Sequence, residues 1–140
     1  MRVMGIDYGD ARTGIAISDL LCSIVGTTTV IHSRNTEKTL AEINRIVKEN
    51  QIGEIVMGLP KNMDGTEGER ATVIKAFAEI LASITDIPLD FYDERMTTMQ
   101  AYRFLDGAGT FGKKRKDVID TLSAELILQS YIDRERLRKG

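Results

Sequence analysis

The chain contains no tryptophan, one cysteine, one histidine and two prolines in 140 residues. A single cysteine, Cys22, excludes an internal disulfide and any zinc site built from several cysteines, and His32 alone makes no imidazole cluster. Both are expected to be packing or surface residues. No apolar run is long enough to span a bilayer or to act as a secretory signal, so a cytoplasmic protein with no membrane partner is expected. Neither sign of charge dominates. The 19 basic and 21 acidic residues give a formal net charge of −2, so any contact with nucleic acid has to be local. The 42% hydrophobic and 29% charged composition is that of one soluble globular domain over residues 1–140, large enough to bury a core without disulfides or a structural metal. With sulfur and imidazole set aside, oxygen ligands remain for any metal chemistry.

The first eighteen residues, MRVMGIDYGDARTGIAIS, organise the rest. Val3, Met4 and Ile6, then Thr13 to Ser18, predict two short strands joined tightly through Gly9, Asp10, Ala11 and Arg12, with Asp7 near the tip. After an apolar-rich loop from Asp19 to Gly26, Thr27 to His32 predicts a third strand. Asn35 and Thr36 are N-cap types, and Leu40, Ile43 and Val47 trace a helix of about four turns ending near Asn50. Ile55 to Met57 read as a buried strand closed by Gly58 and Pro60. The loop KNMDGTEG follows, and Thr66 with Glu69 predicts a capping box opening a helix with Ala71, Ile74, Phe77, Ala78 and Leu81 on one face. Pro88 to Tyr92 predict a strand running into Asp93, Glu94 and Arg95. Thr97 with Gln100 predicts a second capping box and a short helix through Leu105, ended by Gly107 and Gly109. A basic run, Lys113 to Lys116, precedes a buried helix over Val118 to Ile132. This order predicts an α/β fold in which the first three strands are antiparallel, the later ones parallel, and helices pack on the faces of the mixed sheet.

Three acids stand out. Asp is a poor strand residue, and an ionised Asp7 beside apolar neighbours is costly unless something positive or hydrogen-bonding meets it. It either closes a turn through its own backbone or ligates a metal. Gly5 and Gly9 on either side leave room for another backbone or a phosphate. Glu94 follows a strand, and could equally be a solvated loop acid paired with Arg95. Asp120 sits in the final helix between Ile119 and Leu122, where it either complements the helix dipole or takes part in a site. Carboxylates brought together raise one another's pKa, and a divalent cation removes that conflict. Oxygen ligands of this kind suit magnesium or manganese, and a pair of such ions serves phosphodiester cleavage.

The stretches GIDYGDARTGIA, GLPKNMDGTEG, DERMTT and KKRKDVIDTLSAELILQSY, in this order and spacing, resemble the four signature blocks of the YqgF/RuvX family over essentially the whole chain. The resemblance implies a ribonuclease H-like fold related to the RuvC resolvases. It also implies a metal-dependent nuclease, one that matures the precursor of small-subunit ribosomal RNA or, alternatively, resolves Holliday junctions in branched DNA. Carried over by position, it puts Asp7, Glu94 and Asp120 in a catalytic cluster holding two Mg²⁺ or Mn²⁺ ions, with Asp117 a further candidate that is equally an N-cap type. Lys113, Lys114, Arg115 and Lys116 are candidates for gripping backbone phosphates, against a flexible solvated run. Arg12 and Arg95, beside supposed ligands, are further candidates for binding nucleic acid, against surface ion pairs of little weight. The loop Lys61 to Gly68 leads to a helix N-terminus able to meet a phosphate. Two rivals remain open. The spacing of Asp7, Gly9 and Gly14 also fits the phosphate hairpin of actin-like ATPases, although those enclose ATP between two such domains. The other is a nucleic-acid-binding scaffold without catalysis. A monomer and a homodimer are both compatible with the residues.

Overall fold

The computed structural model describes residues 1–96 and 113–139, with the side chains of all of these except 113–117 and 139. Its elements in chain order are β1 (Arg2–Asp7), β2 (Arg12–Ser18), β3 (Val25–His32), α1 (Thr36–Glu49), β4 (Ile52–Leu59), α2 (Glu69–Thr85), β5 (Leu89–Asp93), a 3₁₀ turn (Glu94–Met96) and α3 (Lys113–Lys139). The strands form one sheet in the order β3-β2-β1-β4-β5. β1 pairs antiparallel with β2 and β2 antiparallel with β3, whereas β4 runs parallel to β1 and β5 parallel to β4. This is the mixed sheet expected from a meander followed by crossover helices.

Each face of the sheet has its own core. On one, Met4, Ile6, Ile15 and Met57 meet Ile43 of α1 and Phe77 and Leu81 of α2. On the other, Ala16, Val56 and Tyr92 meet Ala124, Ile127 and Leu128 of α3. Burying a side chain of this size contributes about 1.5–3 kcal/mol.

The helices start where caps and sterics allow, which is not always where the sequence pattern suggests. α1 begins as expected, with Asn35 Oδ1 accepting the Lys38 N–H at 3.0 Å. The Thr66–Glu69 capping box does not form. Gly68 is the N-cap of α2 and provides no side-chain cap, while the Thr66 N–H and hydroxyl donate to Asp64 at 3.0 and 2.6 Å. The Thr66 hydroxyl also accepts from Asn62 Nδ2 at 2.9 Å, so the loop engages it as donor and acceptor before it can reach the helix. The apolar run at Ile55 to Met57 lies inside an eight-residue strand. The basic run does not precede the last helix but opens it, since Lys113 to Lys116 are its first four residues. The second capping box, the helix through Leu105, and Tyr102 and Phe111 lie outside the described residues.

Candidate active site

The three parallel strands β1, β4 and β5 end on the same side of the sheet, and in such sheets ligands bind beyond the carboxyl ends of the strands. Asp7 is the last residue of β1 and pairs with Gly14 of β2. Gly58, near the end of β4, is opposite Tyr92 of β5. One residue beyond β5, Glu94 opens the 3₁₀ turn with only 2% of its surface exposed, and it is the one buried charged side chain among the described residues.

Two glycines let these parts meet. A Cβ on Gly14 would lie 2.2 Å from the backbone oxygen of Asp120, so α3 crosses the sheet directly over the strand partner of Asp7. A Cβ on Gly58 would lie 2.6 Å from Glu94 Oε1 and 2.5 Å from Ile127, so the carboxylate occupies the space an alanine would fill. Neither residue could be replaced without moving a catalytic candidate. Gly5, read as access for a backbone or a phosphate, is covered by Ala124 and Leu128 of α3.

Asp7, Glu94 and Asp120 thus line one cleft of about 340 Å³, together with Tyr8, Asp10, Arg12, Pro60 and Arg70. Asp120 is the eighth residue of α3. The helix dipole acts within the first turn, so it does not account for an acid at this depth. Instead the Asp120 carboxylate accepts a hydrogen bond from Arg12 Nε at 2.5 Å, in a pair whose side chains are 18% and 26% exposed. Arg12 therefore spends its charge on a candidate ligand, inside the cleft rather than on the outer surface.

Arg95 does something different. It forks onto Asp93, with Nη2 2.7 Å from Oδ2, and reaches the carbonyls of Asn62 and Met63. The guanidinium holds the Asp93 carboxyl below its usual range, and together they tie the loop after Pro60 to the end of β5. Arg70, which the sequence pattern does not single out, donates to Asp10 and to the Tyr8 carbonyl and lies over the Tyr8 ring. Tyr8 stacks on Phe77 with ring centroids 3.9 Å apart. No periodicity marks Arg70, because its role depends on α2 packing beside the first hairpin. Asp117 is the fifth residue of α3 and so not its N-cap; its side chain and those of Lys113 to Lys116 lie outside what is described.

All the donors that the three acids offer are carboxylate oxygens, the set that suits a hard divalent cation. Among the described residues, no three Asp, Glu, His or Cys side chains are drawn closely enough together to hold a metal ion. The carboxylates share a cleft wall, and Arg12 supplies the positive charge at Asp120.

A family model described as "RuvX: Holliday junction resolvase" matches residues 1–134. A protein of Thermoanaerobacter pseudethanolicus named "Putative pre-16S rRNA nuclease" is 43% identical over 137 residues, covering 97% of this chain and 99% of that protein. One of the same name from Streptococcus thermophilus is 44% identical over 137 residues, covering 96% and 99%. Among solved structures, Thermus thermophilus RuvC in complex with a Holliday junction substrate superposes with a TM-score of 0.61 at 13% identity, over 96% of each chain. At that identity the likeness shows a shared fold, in agreement with the expected ribonuclease H-like class.

Proposed function

The chain belongs to the RuvX family, and from that premise we propose that it is a metal-dependent nuclease acting in the cytoplasm on the precursor of small-subunit ribosomal RNA. The observation that carries this reading is the meeting of Asp7, Glu94 and Asp120 in one cleft at the carboxyl ends of the parallel strands. The relatives named as pre-16S rRNA nucleases support RNA as substrate. The family description and the RuvC fold keep junction DNA as the second reading.

In this mechanism Asp7, Glu94 and Asp120, which line one cleft without converging on a single point, are the residues that would hold one or two Mg²⁺ or Mn²⁺ ions, with Asp117 a candidate fourth ligand. A bound ion supplies charge to the phosphoryl oxygens and acidifies a water. The rest falls to the protein. Glu94, fixed over Gly58 by packing, orients its carboxylate at the cleft wall. Asp7 projects from a rigid strand end, and a site on such an element is held more precisely than one on a loop. Arg12 holds Asp120 in place at the cleft wall, where its guanidinium also suits a phosphate. The four basic residues that open α3 run against its helix dipole. Phosphate neutralises that unfavourable arrangement, so Lys113, Lys114, Arg115 and Lys116 are assigned to the nucleic-acid backbone. Arg95 acts through the loop it anchors.

The test is cleavage of end-labelled precursor ribosomal RNA and of a four-way DNA junction, side by side with Mg²⁺ or Mn²⁺, by the wild type and Asp7→Ala. Metal-dependent cutting of the RNA by the wild type alone is expected. Cutting of the junction alone would give preference to the second reading. If neither is cut in any metal, the nuclease reading gives way to a binding scaffold.

A further inference from the structure

At the opposite edge of the sheet from Glu94, β3 has β2 as its one strand partner among the described residues. Sheet edges are ordinarily protected by charge, proline or a bulge, because their open backbone groups pair with other chains. From Val25 to His32 this edge carries no Lys, Arg, Asp, Glu or Pro, and Thr27, Thr28 and Thr29 are exposed. The one interruption is at Gly26, where the register with β2 shifts, so from Thr27 to His32 the strand is regular and carries no residue that would bar pairing.

The charge stands beside it instead. α1 runs back along β3, and the two enclose a groove of about 880 Å³ into which Lys38, Glu42, Arg45 and Glu49 all face. These four alternate in sign along one helix face. Lys38 and Glu49 lie equally far from the midpoint between Glu42 and Arg45. A two-fold axis perpendicular to the sheet, of the kind that pairs two edge strands antiparallel, brings the two α1 helices side by side and antiparallel. It then sets Lys38 against Glu49 of the partner subunit and Glu42 against Arg45 of the partner subunit. Every contact is between opposite charges, and each occurs twice. The eleven steps from Lys38 to Glu49 rise about 16 Å along a helix, and Thr27 to His32 extend about 17 Å along a strand, so the ion pairs and the strand pairing fit one common length. Within one chain Arg45 already holds Glu42 and, at 2.6 Å, Glu49. Exposed pairs of this kind contribute little alone and more as a network.

We propose that β3 and the adjoining face of α1 dock a second copy of this chain, edge to edge and antiparallel, with the charge alternation on α1 setting the register. Backbone pairing supplies the attachment and the charges supply specificity. The dimer has a functional geometry. β1 is parallel to β3, so the clefts at the carboxyl ends of β1 in the two copies face opposite ends of the joined sheet. Such a dimer cuts two sites independently, and does not present two clefts to one junction.

Sedimentation velocity of the full chain from micromolar to millimolar concentration tests this directly. The wild type is expected to dimerise reversibly. Lys38→Glu and Glu49→Lys each create two like-charge contacts and should weaken association about tenfold or more. The two residues are too far apart on one helix to touch. Mixing the two single variants, or combining both changes in one chain, should therefore restore dimers only if the contact is between copies. Thr28→Lys, which charges the strand itself, should stay folded by circular dichroism and be monomeric. A wild type that is monomeric throughout, single variants that dimerise as the wild type does, or a mixture that fails to recover association would each overturn the proposal.

Discussion

The two faces of the sheet are built for different purposes. Beneath α1 and α2 lies a core of aliphatic and aromatic side chains with no buried charge, including Ile43, Ile55 and Leu81 at no exposure. Beneath α3 the core is smaller. It borders glycines where side chains would otherwise pack, the buried carboxylate of Glu94, and a Tyr131 hydroxyl that donates to Glu54. Burial and that neighbouring carboxylate raise the Tyr131 pKa. One face supplies stability from apolar burial; the other gives up volume so that a helix can bring Asp120 down to Asp7. The lesson is that the close helix–sheet approach on the α3 face borders the candidate cleft, whereas the α1/α2 face is filled by apolar core.

The sharpest way to break this contrast is at the acids. Asp7→Ala is expected to lower the cleavage rate about 10²–10³-fold, several kcal/mol of transition-state charge stabilisation at 1.4 kcal/mol per tenfold, while RNA binding and thermal stability are retained. Filter binding alongside the cleavage assay separates the two. A variant that loses binding in the same proportion would mean that Asp7 holds the fold or the ligand, and not the chemistry.

Paired substitutions on the two faces come next. Gly14→Ala forces a methyl into the backbone of α3 and should cost about 1–3 kcal/mol by urea denaturation, with a loss of cleavage larger than the loss of folded protein explains. Ile43→Val, on the other face, should cost about 0.5–1.5 kcal/mol and leave cleavage per folded molecule unchanged. If both variants lose activity only in step with stability, the division between the faces does not hold.

Metal addition gives a smaller signal. Saturating Mg²⁺ should raise the melting temperature of the wild type, by about 2.7 kcal/mol of stability at a hundredfold excess over the dissociation constant, and should do so far less in Asp7→Ala. Arg12→Ala should respond at lower Mg²⁺ concentration than the wild type, because the guanidinium no longer competes for Asp120. An unchanged midpoint would remove Arg12 from that role.

The smallest effect concerns the loop. The Asp93 carboxyl lies below its usual value because Arg95 bonds to its charged form. Its stabilisation is therefore present above the unfolded-state pKa of about 3.9 and lost as pH falls through the lower, folded value. Proteolysis of the loop after Pro60 should rise in that acid range in the wild type. In Asp93→Asn it should be high already at neutral pH and change little with acid.

Much of this molecule was readable from residue order alone. The hairpin around Asp7, the N-cap at Asn35 and the strand–helix alternation rest on local rules, the preferences of Gly, Asn and β-branched residues and the two periods of hydrophobicity. Thr66–Glu69 forms no capping box because the loop engages the Thr66 hydroxyl in both roles, donating to Asp64 and accepting from Asn62. The start of α3 was placed late because Lys113 to Asp117 carry no apolar period, though they lie on the helix. Arg12 and Arg95 appeared equivalent in sequence, each beside a supposed ligand. The structure separates them into a cation within the cleft and a clamp on a loop.

The chain by itself determined which residues are chemically able to form a site, since with one cysteine and one histidine its acids are the main metal donors, and only a few stand where a strand or a buried helix makes their charge expensive. Tertiary structure decided which of them meet. Asp7 and Asp120 are separated by more than a hundred residues, and they line one cleft where Gly14, the strand partner of Asp7, leaves no side chain beneath the backbone of Asp120. Such an approach is set by the volumes of two surfaces in contact, a property that no one segment carries.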